Sequence, residues 1–398
     1  MRGSQPPIAP DQDRPTDQGG QLRLTRLTCR DFRNHADLEL GLNRRFVALV
    51  GENGAGKTNL LEAISLFSPG RGLRRAEFAG MARTGGTGGF AVSMGLTSGE
   101  DEHRVGTGYE PAGLDTRATR LCRVDGGSVP SPIAFSEFLR VVWLTPDLDG
   151  LFRGPAGDRR RFLDRLVLAV DASHGARVGA LERALRSRNR LLDERPDDGR
   201  WLDAIEREVA ELAVAVALAR RETAERLDRL IAEGRDDGQP FPWAGVRLEG
   251  DMDDLVAVWP AIEAEDRYRQ TLRQGRQRDR AAGRTLNGPQ TTDLVVRHGP
   301  KDVPAATAST GEQKALLIGL VLAHARLVQA MCGLAPVVLL DEVAAHLDPR
   351  RRAGLFDALD ALPGQVWMTG ADPALFADLA GRADVIRVVD GRVVQGGA

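Results

Sequence analysis

The ten residues GENGAGKTNL, Gly51 to Leu60, narrow the possible folds more than any other stretch of this 398-residue chain. They follow the apolar run RFVALV and lead into LEAISLF. A buried strand before the glycines and a helix after them form the setting of the phosphate-binding loop G-x-x-x-x-G-K-[ST], the Walker A pattern. Gly51, Gly54 and Gly56 let the backbone curl, so that successive N–H groups face one concavity at the positive end of the following helix. Lys57 is placed to reach the β and γ phosphates of ATP, and Thr58 offers a hydroxyl to Mg²⁺. The expectation is an α/β fold of the P-loop NTPase kind.

Such a site needs an acidic metal ligand and a base for water. PVVLLDE supplies both: Val337 to Leu340 read as a buried strand that ends at Asp341, the metal ligand, and Glu342, which orients and deprotonates the attacking water. Upstream, ASTGEQKALLIGLVLAHARL is a polar glycine loop opening an apolar helix, with Ser309 and Gly311 at the helix start. That start is a second phosphate-facing surface in a chain that already holds its phosphates at 51–58. The economical reading is that it serves another copy of the chain, as in ATP-binding-cassette heads. Signature loop, Walker B and AHLDP follow one another in cassette order.

The rest of the chain sorts into three stretches. LRLTRLTCRDF, HADLELG, GFAVSMGL, HRVGTGY and TRLCRVDGGSV alternate as strands of an amino-terminal β layer, with Asp125-Gly126 as a hairpin signal. From about Pro155 the chain turns Arg- and Leu-rich, and Ile205, Val209, Leu212, Val216 and Ala219 recur at helical spacing, a core stripe. Strand character returns near TTDLVVRHG and continues through QVWMTG and VIRVVDGRVV. The expected organisation is a disordered lead over 1–20, a discontinuous head over 21–150 and 286–398, and a helical lobe over 151–285. No sustained heptad appears, so that lobe should be compact and not a long coiled coil. Cys29, Cys122 and Cys332 have no metal-ligand spacing and suit a reducing cytoplasm. The chain start has no apolar core for a signal peptide, and no later stretch reads as apolar enough to span a bilayer.

Together these pieces resemble the RecF family of recombination mediators, relatives of the heads of structural-maintenance-of-chromosomes proteins and of double-strand-break-repair ATPases. The resemblance covers essentially everything after residue 20. CRDFRNH, Walker A, the signature at 308–312 and LLDEVAAHLDPRRR carry it, and WLTPDLDGLFRGPAGDRRRFLD, with Pro146, Gly154, Pro155, Arg159, Arg160, Phe162 and Asp164, is its most specific part. The chain departs from the family at 288–294, where Gln290, Thr291 and Thr292 replace the commoner His, Arg and Asp. The resemblance implies an ABC-ATPase head with a helical second lobe and weak, DNA-stimulated ATPase activity. It assigns the nucleotide to Gly51, Glu52, Asn53, Gly54, Ala55, Gly56, Lys57, Thr58 and Asn59, with Arg33, Asn34 and Asp348. Ser309, Gly311 and Glu312 are contributed in trans by a second protomer, Thr58 and Asp341 hold the metal, and Glu342 and Lys57 act in catalysis. Implied partners are double-stranded DNA and its junctions with single strands, RecR, RecO and indirectly RecA, in a cytoplasmic ATP-dependent homodimer without a membrane.

With 54 basic and 56 acidic residues, the chain as a whole does not announce a nucleic-acid binder, so any such surface must be local. Candidates are the arginines of 71–75, 159–161, 183–190 and 267–284. Two Tyr and five Trp are too few to suggest a stacking platform for single strands, which favours duplex. The rival is an ABC-type ATPase whose helical lobe docks a protein or membrane partner.

Overall fold

Leu24, Leu27, Cys29 and Phe32 are buried while Arg26 and Arg30 between them face solvent, and the first alternating stretch is accordingly a strand, β1 (Arg23–Phe32). The structure, a computed structural model, describes residues 22–113, 117–235 and 240–394; the lead expected over 1–20 lies outside them. β2 (His35–Gly41) pairs with β1, and β3 (Phe46–Val50) enters the phosphate-binding loop and α1 (Lys57–Ser65). β4 (Phe90–Ser98), β5 (Asp101–Glu110), β6 (Thr119–Val124) and β7 (Gly127–Ser128) complete an antiparallel sheet in the order β2-β1-β4-β5-β6-β7. Asp125 and Gly126, both at positive φ (49° and 83°), make the tight turn between β6 and β7.

The helical stretch follows β8 (Val141–Leu144). It comprises α2 (Ala156–Val170), α3 (His174–Glu194), α4 (Gly199–Glu233), β9 (Ala244–Glu249), α5 (Asp251–Val258), α6 (Ala261–Gln274) and α7 (Arg276–Ala282). β10 (Asp293–His298) pairs with β9 and with β11 (Val303–Pro304). The chain closes with α8 (Thr310–Cys332), β12 (Val337–Leu340), α9 (Pro349–Asp360), β13 (Val366–Gly370), β14 (Ala383–Val389) and β15 (Arg392–Val394).

The central sheet runs β15-β14-β3-β13-β12-β8, parallel except for β15. Both of its faces are covered, which is why FVALV and VVLL are apolar at every position. Val47, Leu49, Leu339 and Trp367 pack with α1 beneath the antiparallel sheet. Phe46, Ala48, Val338, Leu340 and Met368 face the other way, onto α8, α9, α2 and the carboxyl half of α4. A third cluster joins α3, the amino half of α4, α5 and α6 through Leu181, Val209, Val216, Met252, Tyr268 and Leu272. The lobe boundaries drawn at 151 and 285 thus run through packed side chains, since α2 and the end of α4 share the sheet's own cluster.

Two expectations are corrected. The α4 stripe is rotated: Val209 and Val216 are buried with Leu202, Ala213, Ala217 and Leu227, whereas Ile205, Leu212 and Ala219 are only partly buried. And among the described residues one stretch is long and apolar enough to cross a bilayer by composition, α8, with a mean hydropathy of 1.8. It lies against the central sheet, with Leu316, Leu317, Leu320 and Val328 at 1% exposure or less, because a helix covered on most sides is apolar most of the way round.

Candidate nucleotide site

The loop after β3 adopts backbone angles that its glycines permit: φ is 85° at Gly54 and 111° at Gly56. It is also crowded from outside, since a Cβ on Gly56 would stand 2.6 Å from Asn34 Oδ1, and one on Gly51 would stand 2.2 Å from Val388 O. Asn34 clamps the loop by donating to Ala55 O (3.1 Å) and accepting from Asn59 Nδ2 (2.8 Å). His35 donates through Nδ1 to Gly391 O (2.7 Å), while its Nε2 stands 3.2 Å from Gly56 O. Burial holds the His35 pKa below its usual value, so the neutral ring has one proton to donate and the second contact is a hydrogen bond only in the imidazolium. Gly391 N closes the set by donating to Ala55 O (2.9 Å). Glu52, Asn53 and Gly54 form the exposed rim.

α1 starts at Lys57 with no side chain capping it and no acid in its first turn. A helix start of this kind presents N–H groups to an anion, and its dipole favours negative charge there. Lys57, 4% exposed, folds into the loop and donates to Gly51 O (2.7 Å) and Glu52 O (2.8 Å). Polyphosphate fits this cradle.

Thr58 Oγ1 donates to Asp341 Oδ1 at 2.8 Å, so the start of α1 meets the end of β12. Between those two elements runs β13, whose Thr369 Oγ1 donates to Asp341 Oδ1 (2.8 Å) and accepts from Glu342 N (2.8 Å). Burial raises the Asp341 pKa, and the two threonine hydroxyls oppose the shift. Glu342 sits at φ 53°, an uncommon angle for a side chain that is not glycine. Among the described residues its carboxylate takes no hydrogen bond. A hydroxyl and a carboxylate oxygen in contact are hard donors of the type Mg²⁺ prefers alongside phosphate oxygens.

Other expected residues stand elsewhere. Arg33, at φ 54°, puts its fork on Glu62 (2.8 and 2.6 Å) and on Gly80 O, and thereby braces α1. Ser309 and Glu312 form a reciprocal capping box at the start of α8, and Lys301 holds Glu312 at 2.5 Å. Asp348 caps α9 through Arg351 N (3.0 Å), and the Arg351 side chain reaches Gly311 O (3.4 Å). Ser309, Gly311, Glu312 and Asp348 are thus brought together with one another. Among the described residues no hydrogen bond links 309–312 to 51–59.

Thr369, His35, Gly391 and Glu62 escaped the sequence reading. Thr369 alone carried a signal, as a hydroxyl at the end of an apolar strand. Several arginines offered as DNA contacts are engaged within the protein: Arg159, partly buried, binds Asp293 through both branches (2.8 and 2.7 Å), and Arg160 donates to Thr292 O. Arg188, with no exposure, bonds Glu206 and Asp279, and Arg276 bonds Glu206. The divergent 288–294 segment closes this joint, with Thr292 donating to Asp253 (2.6 Å) and Pro289 O accepting from Arg220.

Comparison with known proteins bears on this arrangement. The family model for the RecF/RecN/SMC N terminal domain matches residues 23–389. The DNA replication and repair protein RecF of Rhizobium meliloti (strain 1021) is 54% identical over 370 residues, 93% of this chain and 98% of its own. Two solved structures of the recombination mediator protein RecF in the RecFOR pathway resemble it. The RecF-ATPrS structure has a TM-score of 0.82 at 19% identity, covering 95% of this chain and 99% of that one. The RecF-ATP structure has a TM-score of 0.79 at 20% identity, covering 95% and 100%.

Proposed function

This chain belongs to the RecF family, within the wider RecF/RecN/SMC N-terminal-domain family, and from that premise we propose that it is an ATP-dependent DNA-repair protein that works as a head-to-head dimer. Its fold is the α/β P-loop head of ABC type. In this reading the loop 51–58 and Asn59 take ATP, Thr58 and Asp341 hold Mg²⁺, and Glu342 orients and deprotonates water. The metal, when bound, neutralises phosphate charge. Lys57 exchanges its bonds to Gly51 O and Glu52 O for the stronger charge-assisted bonds of a polyphosphate. Ser309, Gly311 and Glu312 cover the γ-phosphate held by the other protomer. The division into a head and a helical lobe at 151 and 285 belongs to the same reading.

The observation that supports it best is the pairing of Thr58 with Asp341 across β13 while the Ser309 loop stays outside that site. One protomer offers a cradle and a separate capped helix start, and two protomers complete each other. Closure aligns positive surfaces on duplex DNA near single-strand gaps, and hydrolysis reopens the dimer. RecO and RecR act with it in supporting the loading of RecA. Because each site is complete only in the dimer, turnover is slow, DNA stimulates it, and the protein acts in the cytoplasm.

Sedimentation with ATP and Mg²⁺ tests the shared site. Lys57→Ala loses nucleotide binding, Glu342→Gln accumulates as a closed dimer, and Ser309→Arg binds ATP but remains monomeric. A Ser309→Arg protein that still dimerises removes the basis for the model. Gel shifts with duplex, gapped and single-stranded DNA, with and without ATP, separate the DNA reading from a protein-docking ATPase.

A further inference from the structure

A cavity of about 370 Å³ opens between the segment after α1, the loop after β8 and the exposed side of α2. Its walls carry four guanidinium groups, Arg74, Arg75, Arg161 and Arg165, against two carboxylates, Asp147 and Asp158. Arg161 pairs with Asp158, and Arg74 is held by Glu62 (3.0 Å) and Asn59 (2.7 Å). Among the described residues no carboxylate hydrogen-bonds Arg75 or Arg165: Arg75 donates only to the carbonyl of Arg161 (3.5 Å), with Asp164 further off. Arg165 is stacked with its guanidinium 5.1 Å from the Trp143 ring centroid and 5.0 Å from that of Phe162.

Two neighbouring cations that no carboxylate bonds directly disfavour each other, Asp164 acting on Arg75 only through space, and a bound anion relieves that repulsion. Burial first, and the neighbouring Arg75 second, push Arg165 down to about 9. The indole N–H of Trp143, whose ring lines the same cavity, is buried without an acceptor among the described residues. Planar guanidinium forks match the oxygens of a phosphate, and a volume of this size lies within the range of small-ligand sites.

We propose that this cavity is a phosphate site, taking a multiply charged phosphate through Arg75 and Arg165. The phosphate comes either from a free polyphosphate or from the backbone of a nucleic-acid strand. The proposal uses none of residues 51–59, 341 and 342, so it stands or falls apart from the ATP reading. Arg74 touches both the cavity wall and Asn59, which gives the two sites a physical connection.

Calorimetric titration of inorganic pyrophosphate into the full-length Lys57→Ala protein, in metal-free buffer, reads this cavity with the Walker A lysine removed. Saturable binding is expected, weakened about tenfold or more by adding Arg75→Gln or Arg165→Met. Arg75→Gln is the variant that keeps the test secure, since Arg165→Met disturbs a stacked, partly buried position and its folding has to be checked by circular dichroism. Absence of binding, or an affinity unchanged by Arg75→Gln, overturns the proposal. Displacement of pyrophosphate by hexathymidylate assigns the site to strand phosphates, and retention assigns it to a free polyphosphate.

Discussion

Asp341 is held protonated to higher pH than an exposed aspartate because it is buried, with Thr58 and Thr369 only partly offsetting that cost. Its folded pKa lies above its unfolded one, so the native state binds more protons in the window between them and stability falls as pH rises through it. Asp341→Asn, which still accepts from both hydroxyls, therefore raises the melting temperature of nucleotide-free protein at pH 7. The gain vanishes below about pH 4, where the carboxyl is protonated in both states. A lower melting temperature at pH 7 contradicts the account, and differential scanning fluorimetry decides it. Asp341 and Glu342 were legible in the sequence because an acid pair at the end of an apolar strand is a local pattern. Thr369 was not, because its bond to Asp341 spans 28 residues and no local rule links the two.

Helix junctions show where charge runs mislead. The arginines of 183–190 read as a solvated or DNA-facing surface, yet Arg188 lies inside, tied to Glu206 and Asp279 and to Leu272 O. Arg188→Ala leaves two buried carboxylates short of a partner and should cost about 3–5 kcal/mol, read as a lower urea midpoint. Nothing within 183–190 distinguishes Arg188 from its exposed neighbours, and its partners lie 18 and 91 residues away. At the start of α8 the reverse holds, since S-x-x-E is a local capping signal. There Glu312 is pushed down to about 2, chiefly by Lys301 and then by the Ser309 N–H. With the folded pKa depressed, its contribution is present above the unfolded value, about 4.3, and is lost as pH falls toward 2. Glu312→Ala should speed hydrogen exchange at Gly311–Gln313 at neutral pH while leaving the centre of α8 protected.

Across the whole molecule, the strands and long helices were legible because their periodicities are short-range. The way they meet was not. His35, Ala55, Gly56 and Gly391 come from three distant parts of the chain, and their contacts fix the phosphate-binding loop. A Cβ at Gly391, which has φ 74°, would lie 2.3 Å from Asn34 O. Gly391→Ala is therefore expected to destabilise the fold by about 1–3 kcal/mol and to weaken ATP binding in calorimetry. Truncation after Val389, which removes this contact and β15, should weaken ATP more than it lowers helix content. The same contact sets a timetable for synthesis. The hairpin that braces the glycine loop lies several hundred residues beyond it in the chain, so a growing chain that has just made the motif carries it well before it can grip a nucleotide.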